Sequence, residues 1–384
     1  MNTDIKTLIS ETFLEIANAI ESGRFVERLK IGLTTLGSEL GVEEVIKGGV
    51  AASKTGLFDV VLIGPKCDTD LEVIEANDER ETHQVMNKLL DEGYLKACVT
   101  MHYPFPIGVA TVGRVITPAK GKELILATTT GTSDTNRTIA MVKNAIYGII
   151  TAKALGISNP TVGILNVENA PSVERFLHKL HENGYKINFG ESIRHDKGSL
   201  MRGNDLINPN CDVMVTDTLT GNILMKLFSS YNTGGNYEVL GYGYGPGIGF
   251  DQDRIINIIS RASGAPVIKN ALIYAYEVIK GNIKGIIKAE YDKLQKANLD
   301  ALIEELKQNT NTNTSTTTKV RPAKETVSEE ILGVEIFELD NAVNILMDNG
   351  IYAESGMGCT GPVVLVSPNH KEKAIGILKM HKYL

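Results

Sequence analysis

Cysteine is scarce in this chain. Four occur in 384 residues, at positions 67, 98, 211 and 359, with no CxxC pair and no zinc-binding spacing among them. So sparse a set builds no disulfide framework and points to a reducing compartment, where the special role open to a cysteine is that of a thiol nucleophile. Long apolar runs are missing as well. None reaches the ~20 residues of a membrane span, and the acidic start through Glu11 leads into no secretory h-region. A cytoplasmic protein without a membrane span is expected. Nor is there an excess of positive charge: 39 Lys+Arg stand against 46 Asp+Glu, a net charge of −7. A general nucleic-acid binder needs a concentrated basic surface, so that class is disfavoured.

What is present is ordinary for a globular protein, 42% hydrophobic and 22% charged. Ile9, Phe13, Ile16 and Ile20 fall at helical spacing. Strands and helices then alternate. Strands are expected at Arg28–Leu33, Asp59–Gly64, Ala97–Met101, Glu123–Ala127, Thr161–Val167 and Cys211–Thr216. Helices are expected at Val42–Ala52, Asn77–Glu92, Asn136–Leu155 and Ser172–Gly184. That rhythm predicts an α/β fold with mostly parallel sheets. At Asn309–Lys324 the composition changes to NTNTNTSTTTKVRPAK, the signature of an exposed linker. It divides the chain into a body (1–307), a flexible Asn/Thr-rich linker (308–330) and a small α+β C-terminal unit (331–384). In that unit Phe337–Leu339 reads as a strand, Asp340 as an N-cap, Ala342–Asp348 as a helix ended by Gly350, Val363–Ser367 as a strand and Glu372–His381 as a helix. So short a unit is marginal for independent folding, so it is expected to dock on another surface.

Two nucleotide-like signatures fail on context. Gly48–Thr55 (GGVAASKT) has Ser53 where a P-loop needs glycine, and it follows helical rather than strand sequence. The run Gly241–Gly249 (GYGYGPGIG) satisfies no GxGxxG register; a loop approaching a ligand and a plain connection both remain open. The stretch Thr128–Arg137 (TTTGTSDTNR) follows a strand and enters a helix, with Ser133 or Asp134 as cap. Thr132, Ser133 and the helix amides could therefore receive an anion such as phosphate. In Asp212–Lys226 (DVMVTDTLTGNILMK), Asp217 stands just past an apolar strand and is followed by Thr220, Gly221 and Asn222, a carboxylate, a close-approach glycine and an amide suited to a substrate cleft. Glu191–Lys197 (ESIRHDK) collects Arg194, His195 and Lys197 for anionic groups. Finally, Cys359 sits in the glycine-rich stretch Glu354–Pro362 (ESGMGCTGP), where a thiol can be exposed and backbone amides can lower its pKa. Cys67, Cys98 and Cys211 adjoin or occupy apolar strands and read as packing residues, Cys98 keeping Lys96 and His102 nearby.

The segments RLKIGLTTLGSELGVEEVIKGGV, NPTVGILNVENA, NFGESI and CDVMVTDTLTGNILMKL resemble the phosphate acyltransferases of phospholipid synthesis, which are related in fold to phosphotransacetylases. With the GMGCTGP extension, the whole chain resembles the component C alpha subunits of glycine/sarcosine/betaine reductase complexes. The resemblance implies a two-part body of the isopropylmalate dehydrogenase-like type, and transfer of an enzyme-bound acetyl thioester to inorganic phosphate, releasing acetyl phosphate. It implies no metal and no redox cofactor. The implied partners are a ketoacyl-synthase-like beta subunit of component C and the selenoprotein component A, in an oligomeric complex. By the D-G-F-x-G-N pattern of the phosphate acyltransferases, Asp217, Thr220, Gly221 and Asn222 are matched, and Glu191 is matched by G-N-x-E. Thr218-Leu219 replaces the family's G-F, a departure that touches acyl-carrier recognition. On this reading Cys359 carries the acyl group, Asp217 and Asn222 act from the cleft side, and the Thr128–Asp134 loop with Arg194 contacts phosphate. The rivals are an acyl-phosphate synthase of phospholipid biosynthesis, which needs neither linker nor Cys359, and a non-catalytic scaffold for the beta subunit.

Overall fold

A computed structural model describes residues 28–311 except 196, residues 322–384 except 359, 360 and 382, and, of an N-terminal helical stretch, residues 9, 10, 12–14, 16, 17, 20 and 21. Among these, one large sheet carries the body. Its first wing is β1 (Lys30–Thr34), β2 (Asp59–Gly64), β3 (Glu72–Glu75) and β4 (Ala97–Thr100). The centre is β5 (Val109–Ile116) and β6 (Glu123–Thr132), joined later in the chain by β11 (Gly245–Ile248) and β12 (Ile256–Ile258). The second wing is β7 (Thr161–Leu165), β8 (Asn188–Phe189), β9 (Leu200–Met201) and β10 (Val213–Val215). The order is β3-β2-β1-β4-β12-β11-β5-β6-β10-β7-β8, with β9 also on β7. Pairing is parallel from β3 to β12 and from β6 to β8. It is antiparallel at β12-β11, β11-β5 and β5-β6. Two parallel wings therefore share an antiparallel centre.

Physical reasons for the wings are legible in their residues. Alternate side chains of β2 enter different cores, Val60 and Leu62 on one face and Val61 and Ile63 on the other. A strand covered on both faces is apolar throughout, as DVVLIG is. The helix Arg137–Ala154 (α3) buries 13 of its 18 residues, the condition of a helix that is apolar nearly all round. It approaches the sheet closely because Gly148 lacks a side chain: a Cβ there would meet Val213 at 2.4 Å.

The two glycine-rich signatures have structural explanations. GGVAASKT lies in and just beyond the helix Val42–Ser53 (α1; the next helix, Glu79–Asp91, is α2), where a Cβ on Gly48 would meet the Ile268 side chain at 2.6 Å. Gly48 thus serves contact with the helix Ala265–Lys280, and Gly49 contact with Leu71 and the strand residues Leu33 and Leu62. GYGYGPGIG is not a slack connection. It runs into β11 in the middle of the sheet, where Gly245 takes φ +84° and a Cβ would stand 1.8 Å from the Val112 carbonyl oxygen. Sequence reading missed this centre because a glycine-rich strand has no apolar alternation to detect.

Beyond the helix Leu299–Asn311, a second sheet is formed by β13 (Glu329–Leu332), β14 (Ala353–Gly358) and β15 (Gly361–Val366), in the order β13-β15-β14 and antiparallel throughout. The helices Leu339–Asp348 and Lys371–Met380 cover it around a core that includes Ile331, Leu346, Val364 and Leu378. Phe337–Leu339 is not a strand: Ile336–Glu338 is a single 3₁₀ turn leading into the helix, and the missing strand is Glu329–Leu332. Asp340 is not the cap either; it lies in the helix's first turn, with Glu338 at the N-cap position. The unit rests against the body. Ile107 packs on its core, and the Thr135 hydroxyl donates to the Asp340 carboxylate.

Candidate functional site

The cleft is built where the second wing's strands hand their carboxyl ends to helices, the place a parallel sheet offers a ligand. β6 ends at Thr132 and a short turn leads to α3. There Asn136, not Ser133 or Asp134, is the cap: its Oδ1 accepts from the amides of Thr138 at 3.0 Å and Ile139 at 3.1 Å. Asp134 instead pairs with Lys143 at 2.6 Å. β10 ends at Val215, and Asp217 caps the helix Thr218–Ser230 (α4 below). Its Oδ1 accepts from the Thr220 amide at 2.9 Å and its Oδ2 from the Thr220 hydroxyl at 2.5 Å. β7 leads through Val167–Asn169 into the helix Ala170–Glu182. These three transitions enclose a cavity of about 750 Å³.

Thr132, Ser133, Asp217, Thr220 and Asn222, drawn from two distant stretches of sequence, all line that cavity. Asn222 Nδ2 donates to the Thr129 carbonyl at 3.0 Å, tying α4 to the end of β6. Ser133 is only 1% exposed, and its hydroxyl bonds inward with Asn144 Oδ1 at 2.6 Å. Gly221 stands behind the wall rather than in it. A Cβ there would lie 1.7 Å from the Thr128 carbonyl oxygen, so glycine is what lets α4 sit on β6. Arg194 is exposed on the loop after β8 and is not among the cavity's lining residues; Glu191, on the same loop, lies 3.6 Å from Lys197. Cys359 lies outside the described residues; Gly358 and Gly361, its neighbours in sequence, pair across the β14–β15 hairpin. The small unit nevertheless reaches the cleft, because Ile336 forms part of the cavity wall.

Sequence reasoning missed the second half of the cleft. A lobe of about 300 Å³ shares Thr130 and Asn222 with the first and adds Lys226, Tyr244, Ser260 and Arg261. Two cations, Lys226 and Arg261, and one carboxylate, Glu39, thus line a space beside the pocket that holds Asp217, with Arg261 also 3.7 Å from Glu79 Oε1. Arg261 stands just past β12, as Asp217 stands just past β10, but β12 is only three residues long and gives little periodicity to read. Lys226 is legible as the residue five positions past Gly221, within the quoted stretch, yet only the lobe gives it a role. The other cysteines behave as packing residues. Cys98 is fully buried in β4, and burial pushes its thiol pKa far up; burial likewise pushes Cys211 up to about 12, and Cys67 is half-buried with its thiol raised. The proximity of Lys96 and His102 to Cys98 in sequence therefore does not make it reactive. Among the described residues no cluster of His, Cys, Asp and Glu could hold a metal ion, and no helix is long and apolar enough to cross a membrane.

Comparison with known proteins bears on this geometry. The family model described as fatty acid synthesis protein matches residues 29–365. The chain is 55% identical over 378 residues, 98% of each chain, to the glycine/sarcosine/betaine reductase complex component C subunit alpha of Peptoclostridium acidaminophilum. It is 26% identical over 234 residues to the phosphate acyltransferase of Thermotoga petrophila, covering 52% of this chain and 67% of that one. Among solved structures, 4-hydroxythreonine-4-phosphate dehydrogenase from Klebsiella pneumoniae is similar at a TM-score of 0.41 and 13% identity, covering 65% of this chain and 99% of that one, a likeness too slight to carry a functional argument.

Proposed function

We propose, from the premise that the chain belongs to the fatty acid synthesis protein family and to its component C alpha subunits, that it transfers an enzyme-bound acetyl group from a thioester to inorganic phosphate. Sulfur lends a thioester carbonyl little resonance, so a phosphate oxygen can attack the carbonyl carbon once both are held together. The new C–O bond forms, the C–S bond breaks, and acetyl phosphate leaves. The proton of the attacking hydrogen phosphate ends on the departing thiolate, with Asp217 the carboxylate in place to pass it on. Cys359 is assigned as the acyl-bearing thiol. Asn222 and the Thr130–Thr132 backbone supply donors toward the oxyanion, and the Lys226–Arg261 lobe supplies charge for phosphate in place of Arg194. The ketoacyl-synthase-like beta subunit and the selenoprotein component A are the proposed partners that deliver the acetyl group.

The observation that carries this reading is the convergence of Asp217, Thr220 and Asn222 with the Thr129–Ser133 segment on a cavity that shares Thr130 and Asn222 with the lobe lined by Lys226 and Arg261. Intact-mass measurement after incubation with acetyl phosphate tests it. One hydroxylamine-labile acetyl group on the wild type, absent from Cys359→Ala, is the expected result. An acetyl group that survives the substitution removes Cys359 from the scheme. The phosphate acyltransferase relative favours a second reading, acyl-phosphate synthesis for phospholipids; full turnover by Cys359→Ala with a long-chain acyl donor would decide for it.

A further inference from the structure

The lobe lined by Lys226, Arg261 and Glu39 has a hub beneath it. Glu238 is 2% exposed, and it touches three of the side chains that line the lobe or hold its rim. Its Oε1 accepts from the Tyr244 hydroxyl at 3.0 Å and stands 3.9 Å from Lys226 Nζ; its Oε2 accepts from the Ser263 hydroxyl at 3.1 Å. The backbone of the same residue is clamped to the turn that carries Arg261: Glu238 N donates to the Ala262 carbonyl at 2.9 Å, and the Glu238 carbonyl accepts from Gly264 N at 2.8 Å. The turn is closed internally by the Ser263 hydroxyl, which accepts from the Ser260 amide at 3.0 Å. Lys226 in turn lies over the Tyr244 ring at 5.9 Å.

A buried carboxyl is costly wherever an amide would fill the same space, and burial holds this one above its ordinary pKa. Nothing in the hydrophobic packing around it asks for an acid. What the position does offer is a single point from which a lysine on α4, a tyrosine beside β11 and an arginine-bearing turn after β12 are held in register.

We infer that Glu238 is a positioning residue for an anionic ligand of this lobe, fixing Lys226 and Tyr244 directly and Arg261 through the Ser260–Gly264 turn so that both cations face the same phosphate. The inference rests on the proposed function, which makes inorganic phosphate the acceptor. Charge alone works the other way: removing an acidic side chain near an anion site tightens anion binding. A loss of affinity in Glu238→Gln therefore reports positioning.

The test is calorimetric titration of the full chain with inorganic phosphate, for the wild type, Glu238→Gln, Glu238→Asp, Tyr244→Phe and Lys226→Met. The expected result is a loss of roughly tenfold in Glu238→Gln, the equivalent of about 1.4 kcal/mol, with partial recovery in Glu238→Asp and a melting temperature no lower than wild type. Tyr244→Phe, which removes one hydroxyl, should lose a smaller part of the affinity. Combining Glu238→Gln with Lys226→Met should cost less than the separate losses together. Wild-type affinity in both Glu238→Gln and Tyr244→Phe overturns the inference while leaving the acceptor intact. A wild type that binds no phosphate overturns the proposed acceptor, and the inference with it.

Discussion

The two wings of the large sheet follow one plan and end differently. In each, parallel strands deliver their carboxyl ends to helix N-termini, and in each an aspartate caps a helix. Asp78 accepts from the Glu81 amide at 2.8 Å in the first wing, as Asp217 accepts from Thr220 in the second. Yet between Thr34, Thr100, His83 and Arg261 the first wing leaves a crevice of about 10 Å³, room for about one water, and beyond it the lobe of about 300 Å³ that Glu39 and Met101 help to line. The second opens about 750 Å³. In the first wing the Thr34 and Thr100 hydroxyls bond each other at 2.9 Å and tie the strand ends together. In the second, β6 runs on past β10 while still paired with β5, and the connection to α3 is made of small polar residues. A strand's carboxyl end is thus the address of a site, and the connection that follows decides whether the site has room.

Breaking α4's seat is the largest perturbation. Gly221→Ala puts a methyl 1.7 Å from the Thr128 carbonyl oxygen, which is backbone and cannot turn away. A loss of about 3 kcal/mol in urea unfolding is expected, together with loss of phosphate binding. In the other wing Gly48→Ala meets the Ile268 side chain at 2.6 Å, and a side chain can move; about 1–2 kcal/mol is expected, with phosphate binding kept. Equal costs and equal effects on binding would abolish the distinction between the wings.

The paired caps sharpen it. Asp78→Ala and Asp217→Ala should each cost about 1 kcal/mol of stability through the lost cap. Only Asp217→Ala should slow acetyl transfer, by a factor on the order of 100, since it also releases Thr220 at the cleft. A smaller effect concerns the cysteines, Cys98 in the first wing and Cys211 in the second buried, Cys67 half-buried. Native-state alkylation at pH 8 followed by peptide mapping should label Cys67 ahead of Cys98 and Cys211, whose thiols burial keeps protonated.

The smallest expected effect is on pH dependence. Burial raises the Glu238 pKa above its ordinary value, against the opposing pull of Tyr244 and Lys226. A carboxyl raised on folding contributes fully below its unfolded pKa of about 4.3, and the contribution is lost as pH rises through the folded value. The melting temperature of Glu238→Gln relative to wild type should therefore climb from acid toward neutral pH; a flat difference would contradict the shift.

Much of this is legible in the amino-acid sequence. DVVLIG, TVGIL and the helix from Arg137 announced themselves because burial on both faces writes a continuous apolar run. Asp217 and Asn222 were visible because a capped helix directly after a strand is a local pattern. The antiparallel centre was not: GPGI and INI carry no periodicity, and their strand character comes from neighbours far away in sequence. Glu329–Leu332 was hidden for a similar reason, a short strand flanked by charge next to a polar run.

By itself, then, the amino-acid sequence determined the α/β class, the polar turns at strand ends, the capped helix at Asp217 and the small unit's separate core, since each depends on contacts within a few residues or on one element's own pattern of burial. Tertiary structure alone decided that β11 and β12 weld the wings into one sheet, that Lys226 and Arg261 line one lobe with Asn222, and that Arg194 stays outside. Those outcomes depend on the distances between segments far apart in the chain, and no local pattern of apolar and polar residues encodes such distances.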